Sequence, residues 1–276
     1  MIGAAALEVL RPSSLKQALQ LLREAHEAGQ PLTPLAGGTD LFVVLNSGQR
    51  KSTRYLDLWG LSKLRRIDSS GKRRLVLGGG VTYSDCIGHA GVAKRLPILV
   101  AAARQIGGVQ IQNRGTLAGN IENGSPAADA VPVLMAADAT VILRSIDGER
   151  ALPLAQYYVG YRQTVRRPDE LIVRIELDVP NGAQRFRKVG TRAAQTISKI
   201  AMATVGHRVA FGSVAPTVVR AQNLETYAAM GGRDADEAQR LALTDVQPID
   251  DVRSTAEYRR RVVANLVADW IGTLET

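Results

Sequence analysis

The sequence predicts an α+β protein made of three compact units. Three observations carry this. Helical and alternating apolar patterns are mixed without a regular βαβ succession. A Pro180-Asn181-Gly182 break sets off the last third of the chain. The length, 276 residues, exceeds one small domain and suits two or three. Apolar residues make up 45% and charged residues 22%, which argues for packed cores and against global disorder. Aromatics are only 4%, so those cores must be built from Leu, Val, Ile and Ala.

The first unit covers residues 1–55. Residues 7–11 alternate weakly and predict a short strand. Ser13-Ser14 offers an N-cap, Leu15, Ala18, Leu19 and Leu22 follow at helical spacing, and Gly29 closes the helix. An extended segment from Pro31 to Ala36 runs into Gly37-Gly38-Thr39-Asp40, after which Leu41 to Leu45 starts a short helix. Arg54 to Leu58 predicts a strand.

The second unit, 56–180, has strand patterns at 64–67 and 74–77 and glycines at 78–80. Helices are expected at 83–89 and 92–105, the second stopped by Gly107-Gly108. A polar, glycine-bearing stretch fills 107–125. Residues 126–136 predict a helix with Asp129 in its first turn, and strands follow at 139–145 and 171–179. The third unit, 184–276, shows strands at 185–190, 203–211 and 214–221 and helices at 234–243 and 255–274. In the last helix Val262, Val263, Leu266, Val267, Trp270 and Ile271 repeat at helical spacing.

Composition excludes several function classes. The net charge is +9, but the basic residues are scattered, with short clusters at Lys72-Arg73-Arg74 and Arg259-Arg260-Arg261. No aromatics are interleaved with them, as a nucleic-acid stacking platform needs, so a solvated surface or docking to acidic partner chains is the expectation. The single cysteine, Cys86, can hold neither an iron–sulfur cluster nor a structural zinc, and a packed thiol is expected. His26, His89 and His207 lack metal-ligand spacing. The chain shows no basic, apolar leader at its start and no apolar run near the length of a membrane span, so a cytoplasmic location is expected.

Two loops carry the chemistry. Leu35-Ala36-Gly37-Gly38-Thr39-Asp40-Leu41 places adjacent glycines between strand and helix, where the backbone can approach an anion and its N–H groups can surround it. Alone, it is a weak signal, because Gly-Gly between strand and helix more often makes just a tight turn. Asn113-Arg114-Gly115-Thr116-Leu117-Ala118-Gly119-Asn120 repeats the small residues and adds a hydroxyl and an amide. Its continuation, Ile121-Glu122-Asn123-Gly124-Ser125-Pro126-Ala127-Ala128-Asp129, ends in a carboxylate at a helix start. That carboxylate suits either sugar hydroxyls or helix capping. A dinucleotide needs backbone donors from separate places, so the pair says more than either loop. No P-loop is present, and Gly78-Gly79-Gly80 does not complete a Rossmann fingerprint.

At these loops the chain resembles the FAD-binding medium subunit of the molybdenum hydroxylases, the family of the bacterial xanthine and carbon monoxide dehydrogenases. The likeness extends from Leu10-Arg11-Pro12-Ser13-Ser14-Leu15, through both loops and Ser125-Pro126-Ala127-Ala128-Asp129, to Phe186-Arg187-Lys188-Val189-Gly190-Thr191-Arg192. The resemblance implies a two-subdomain FAD-binding domain of the PCMH/VAO type, 1–55 and 56–180. A smaller C-terminal α+β domain with an antiparallel sheet, 184–276, would follow. It implies that Leu35, Ala36, Gly37, Gly38, Thr39, Asp40 and Leu41 wrap the pyrophosphate. Gly115, Thr116, Ala118, Gly119, Asn120, Glu122 and Asn123 would meet pyrophosphate and flavin, and Asp129 the sugar chain. Leu171 or Ile172 would pack on adenine or ring, and Lys188 would approach the flavin carbonyl edge, where a cation stabilises reduced, anionic flavin.

Two departures stand out: Leu117-Ala118 replaces the usual Ile-Gly, and Ile106 stands where some relatives place an aromatic over the ring. The resemblance further implies a large molybdopterin subunit that transforms the substrate and a small subunit with two [2Fe-2S] clusters. FAD on this chain would pass electrons to NAD or another acceptor, in a heterohexamer. The competing readings are a self-contained FAD-dependent oxidoreductase, for which no poised base is evident, and a basic nucleic-acid-binding module. Replacing Gly38 or Gly119 by Val should abolish FAD binding by blocking backbone approach; normal FAD occupancy in both variants would refute the loop assignment.

Overall fold

The computed structural model describes residues 7–48, 52–71, 73–193 and 195–274. Residues 1–6 of the N-terminal run and Lys72 of the basic cluster lie outside the described residues.

The first unit opens with β1 (Glu8–Leu10) and α1 (Leu15–Glu27). The Ser14 hydroxyl accepts the Gln17 N–H at 3.2 Å and starts α1, which buries Ala18, Leu19, Leu22 and Ala25 along one face. Then come β2 (Thr33–Leu35), α2 (Leu41–Asn46) and β3 (Arg54–Asp57). β3 lies between β1 and β2 and runs parallel to both. The α1 face packs into a core with Leu56, Leu61, Leu64, Ile142, Leu171 and Val173, so two of its walls come from distant sequence.

A 3₁₀ turn at Ser62–Arg65 occupies part of the expected 64–67 strand, and β4 follows at Ile67–Asp68. Next are β5 (Arg74–Gly78), α3 (Tyr83–Gly88), α4 (Ala90–Arg95) and α5 (Pro97–Ala103). The helix expected at 92–105 is thus two helices. Pro97 takes the first position of α5, and Leu96 before it is pushed out of the helical region (φ −136°, ψ 61°). The polar stretch holds two further short helices, α6 (Val109–Gln112) and α7 (Leu117–Glu122). The glycines that mask α7 in the sequence are offset by Thr116, whose hydroxyl accepts the Gly119 N–H at 3.1 Å.

α8 (Ala130–Ala136) begins four residues later than expected, which makes Asp129 its cap position. β6 (Thr140–Ser145), β7 (Gly148–Pro153), the small pair β8 (Tyr158–Gly160) and β9 (Gln163–Thr164), and β10 (Leu171–Asp178) complete the unit. Its main sheet has the order β4-β5-β10-β6-β7, antiparallel throughout. Cys86 is buried in this unit's core, where burial pushes its thiol up to about 12 and leaves it unreactive.

The third unit is an antiparallel meander, β11 (Gln184–Val189), β12 (Ile200–Val205), β13 (Arg208–Gly212) and β14 (Val219–Arg220), followed by α9 (Gln222–Ala229), α10 (Ala235–Thr244) and α11 (Ala256–Ile271). The single strand expected at 203–211 is a hairpin, turning at Gly206 with φ +55°. The strand expected at 214–221 shrinks to two residues, and α9 was not foreseen. β12 is buried on both faces. Ala203, paired with Ala210, faces the core of the second unit, whereas Met202, paired with Phe211, faces α9 to α11. Among the described residues no helix is long and apolar enough to cross a membrane.

One polar anchor fixes the entry to β10. The Glu170 side chain, 3% exposed, accepts Arg150 Nε at 2.7 Å, Arg150 Nη2 at 2.8 Å and the Arg167 N–H at 2.7 Å. Burial alone lifts this carboxyl, but the Arg150 guanidinium and the Arg167 N–H outweigh it and hold it below the ordinary glutamate range. Glu170→Gln should therefore lower stability at neutral pH by about 1.5–3 kcal/mol. A depressed folded pKa gives stability that is full above the ordinary glutamate value and lost as pH falls through the depressed one. Urea unfolding of both proteins should show the gap shrinking on acidification; a gap that is constant or grows would contradict the anchor.

Candidate functional site

A cleft of about 460 Å³ lies where the first and second units meet. Its first wall is the turn after β2. Gly38 there has φ +77°, and its carbonyl accepts the Phe42 N–H at 2.9 Å as α2 begins. Its second wall is the segment from Gly115 through α7. Its third is formed by Gly79 and Gly80 after β5 together with Leu171 and Ile172 at the start of β10.

Glycine is required where these walls meet. A Cβ on Gly37 would sit 1.8 Å from the Arg114 carbonyl oxygen, and one on Gly79 would sit 2.1 Å from the Ile172 carbonyl oxygen. Gly79 also donates its N–H to Val173 O at 2.8 Å. A Cβ on Gly115 would meet the Tyr83 ring at 2.8 Å. Three backbone segments are thereby held around one space.

Of the residues singled out in the sequence, Leu35, Ala36, Gly37, Gly38, Thr39, Asp40, Leu41, Gly115, Thr116, Ala118, Gly119, Asn120, Glu122, Asn123, Leu171 and Ile172 all line the cleft. Asn123 Nδ2 donates to Asp40 Oδ2 at 2.9 Å and ties the two loops across the cleft. Glu122 accepts Arg166 Nε at 2.7 Å and the Tyr157 hydroxyl. The Asn120 Oδ1 atom is buried and has no hydrogen-bond partner among the described residues.

Sequence reasoning missed several lining groups. Arg162 donates to Asn123 Oδ1 at 3.1 Å from a backbone at φ +53°, and Arg166 stands beside it. Trp59 also lines the cleft, with the Arg114 guanidinium 3.7 Å and the Arg65 guanidinium 4.9 Å from its ring centroid. These arginines gather from remote segments, so no local pattern announces them. The glycine triplet 78–80 was the one available signal. Its role is close packing, of Gly79 against Ile172 at the start of β10 and of Gly78 and Gly80 against Leu64 and Arg65, rather than a dinucleotide fingerprint. Arg65 in the lining is paired with Asp85 at 3.3 Å and Arg166 with Glu122 at 2.7 Å, which leaves Arg162 as the lining arginine with no carboxylate partner among the described residues.

Ile106, Asp129 and Lys188 lie outside this lining. Ile106 is half-buried against the core of the second unit. Asp129 makes no capping bond to α8 among the described residues. Instead Oδ2 takes the Lys188 ammonium at 2.6 Å and Oδ1 takes the Ser198 hydroxyl. Both partners come from the third unit, so the pair stitches that unit to the second. Lys188 also donates to Gln105 O at 3.1 Å, and its side chain is 4% exposed. Burial pushes the Asp129 carboxyl above the ordinary carboxylate range, against the lowering pull of Lys188 and Ser198.

A family described as the FAD binding domain in molybdopterin dehydrogenase matches residues 5–181, and the CO dehydrogenase flavoprotein C-terminal domain matches residues 187–274. The glyceraldehyde dehydrogenase medium chain of Sulfolobus acidocaldarius is 30% identical over 266 residues, covering 92% of this chain and 93% of that protein. The xanthine dehydrogenase FAD-binding subunit of Escherichia coli O157:H7 is 29% identical over 272 residues, covering 93% and 91%. Among solved structures, carbon monoxide dehydrogenase from Hydrogenophaga pseudoflava, in a form lacking the Mo-pyranopterin moiety, superimposes with a TM-score of 0.88 at 27% identity. It covers 98% of this chain and 96% of that one.

The contact at Gly37 is directly testable. Gly37→Ala should cost about 1–3 kcal/mol, because the added methyl drives into the Arg114 carbonyl. Gly60→Ala, with nothing within 4 Å of the new Cβ among the described residues, should leave the melting temperature almost unchanged. Equal melting curves for the two variants would show that the loops are not in contact.

Proposed function

The chain belongs to the family of FAD-binding domains in molybdopterin dehydrogenases, and from that premise we propose that it holds FAD in the glycine-walled cleft and relays electrons within a multi-subunit molybdenum hydroxylase. On this reading, electrons arrive from [2Fe-2S] clusters on a small partner subunit and leave to NAD or another acceptor. A large molybdopterin subunit transforms the substrate, and two copies of each subunit assemble. Residues 1–55 and 56–180 serve as the two flavin-holding halves, and 184–276 as the unit behind them. When bound, FAD supplies the exchange between electrons delivered singly and the pair that an acceptor such as NAD takes up.

The observation that carries the reading is the convergence of three glycine-bearing backbones on one cleft with a cationic rim. Gly37, Gly38 and Gly119 let backbone N–H groups come close to a diphosphate. Arg162 offsets part of its charge. The Asn120 Oδ1 acceptor suits a ligand hydroxyl or ring N–H. Leu171 and Ile172 supply an apolar surface for a ring. Lys188 spends two of its three donors on Asp129 and Gln105 O, so one N–H remains for a flavin carbonyl, with the Asp129 carboxylate balancing its charge.

The chain, incubated with excess FAD and desalted, should retain flavin absorbance. Asn120→Ala should weaken FAD binding by roughly tenfold with little change in melting temperature, because its Oδ1 supports no protein contact. Undiminished FAD retention in that variant would remove Asn120 from the site. In the assembled complex, bleaching of the flavin by NADH would support NAD as acceptor, and failure to bleach would point to another.

A further inference from the structure

A second cavity, about 280 Å³, sits at the seam between the second and third units and shares no lining residue with the large cleft. Its walls come from the segment before α8, the residue after β8, both ends of the β12–β13 hairpin, the loop preceding α11, and α11 itself. These walls are tied firmly. The Ser213 hydroxyl donates to Ser198 O at 3.0 Å, the Ser213 N–H to Pro126 O at 2.7 Å, and the Gln247 N–H to Val214 O at 2.8 Å.

One charged group faces this space from within the protein. Arg259 lines the cavity and is 3% exposed. Its Nη1 donates to Ile249 O at 2.9 Å and its Nη2 to Asp251 Oδ1 at 2.8 Å, while its Nε–H finds no partner among the described residues. A buried guanidinium N–H without an acceptor is costly to keep. Arg253, also in the lining, shares the same carboxylate, 3.4 Å from Asp251 Oδ2. Two guanidiniums thus stand against one carboxylate, and the site carries one excess positive charge. The rest of the wall is mainly apolar, with Pro126, Ala127, Ala215, Pro216 and the exposed side chains of Tyr161 and Ile249, interrupted by Ser198, Ser213 and Gln247. A ligand matching all three features has a single negative charge, an acceptor oxygen and an apolar body.

We propose that this cavity is a binding site for a small organic monocarboxylate, with the carboxylate held by the Arg259 and Arg253 guanidiniums that line it and the hydrocarbon part against Ala215, Pro216 and Ile249. A doubly charged phosphate would leave one charge unbalanced and would waste the apolar wall. The site stands independently of the flavin reading, and no FAD is needed to examine it.

The probes are benzoate, its neutral isostere benzamide, and inorganic phosphate, titrated calorimetrically into the full chain without FAD. Benzoate should bind saturably, and benzamide and phosphate at least roughly tenfold more weakly. Arg259→Met should abolish the benzoate signal. Because that residue also holds Ile249 and Asp251, Ala215→Phe provides the second variant: it fills the cavity, leaves Arg259 in place, and should lower benzoate affinity by roughly tenfold or more. Absence of benzoate binding overturns the proposal, as does equal binding of benzamide, tighter binding of phosphate, or full benzoate affinity in a folded Ala215→Phe protein.

Discussion

The structure depends on how closely three stretches of backbone can approach one another. At Gly37 and Gly79 the space a side chain would fill is already taken by a carbonyl oxygen of another segment. A methyl group at either point cannot be absorbed by a rotamer change, because the opposing atom is main chain. The cleft therefore exists because glycine stands at the contacts. Its polar fittings, from the Asp40–Asn123 bond to the arginines beside it, are hung on a frame already set.

A second constraint acts behind that frame. Asp129, Lys188 and Ser198 bring a carboxylate, an ammonium and a hydroxyl into a nearly water-free junction. Removing one member of such a buried pair strands the other charge, typically at a cost of about 3–5 kcal/mol. The pair is thus better understood as a fixer of relative position than as a net source of stability.

How much of this was legible depended on whether the cause was local. The loops at 35–41 and 113–123 could be read because close backbone approach writes itself into the sequence as glycine. The α1 cap at Ser14 and the late face of α11 were legible for the same reason, through spacing alone. Other features have distant causes. Arg162, Arg166 and Trp59 meet the cleft through folding, and nothing in their neighbours marks them. Asp129 obeys the local rule for a helix cap in position, yet its side chain is claimed by the third unit. Local signals were also misweighed. Pro97 divides the helix expected at 92–105 and Gly206 divides the strand expected at 203–211, so both breaks have a local cause that stands in the sequence.

β12 has a consequence for the molecule as a whole. Its two faces belong to different cores, with Ala203 and Val205 on one side and Ile200 and Met202 on the other. Neither core can melt without laying bare the back of a strand that the other still needs. The second and third units consequently share a single fate on heating: a shared wall makes them one cooperative block, although their sequences read as separate pieces.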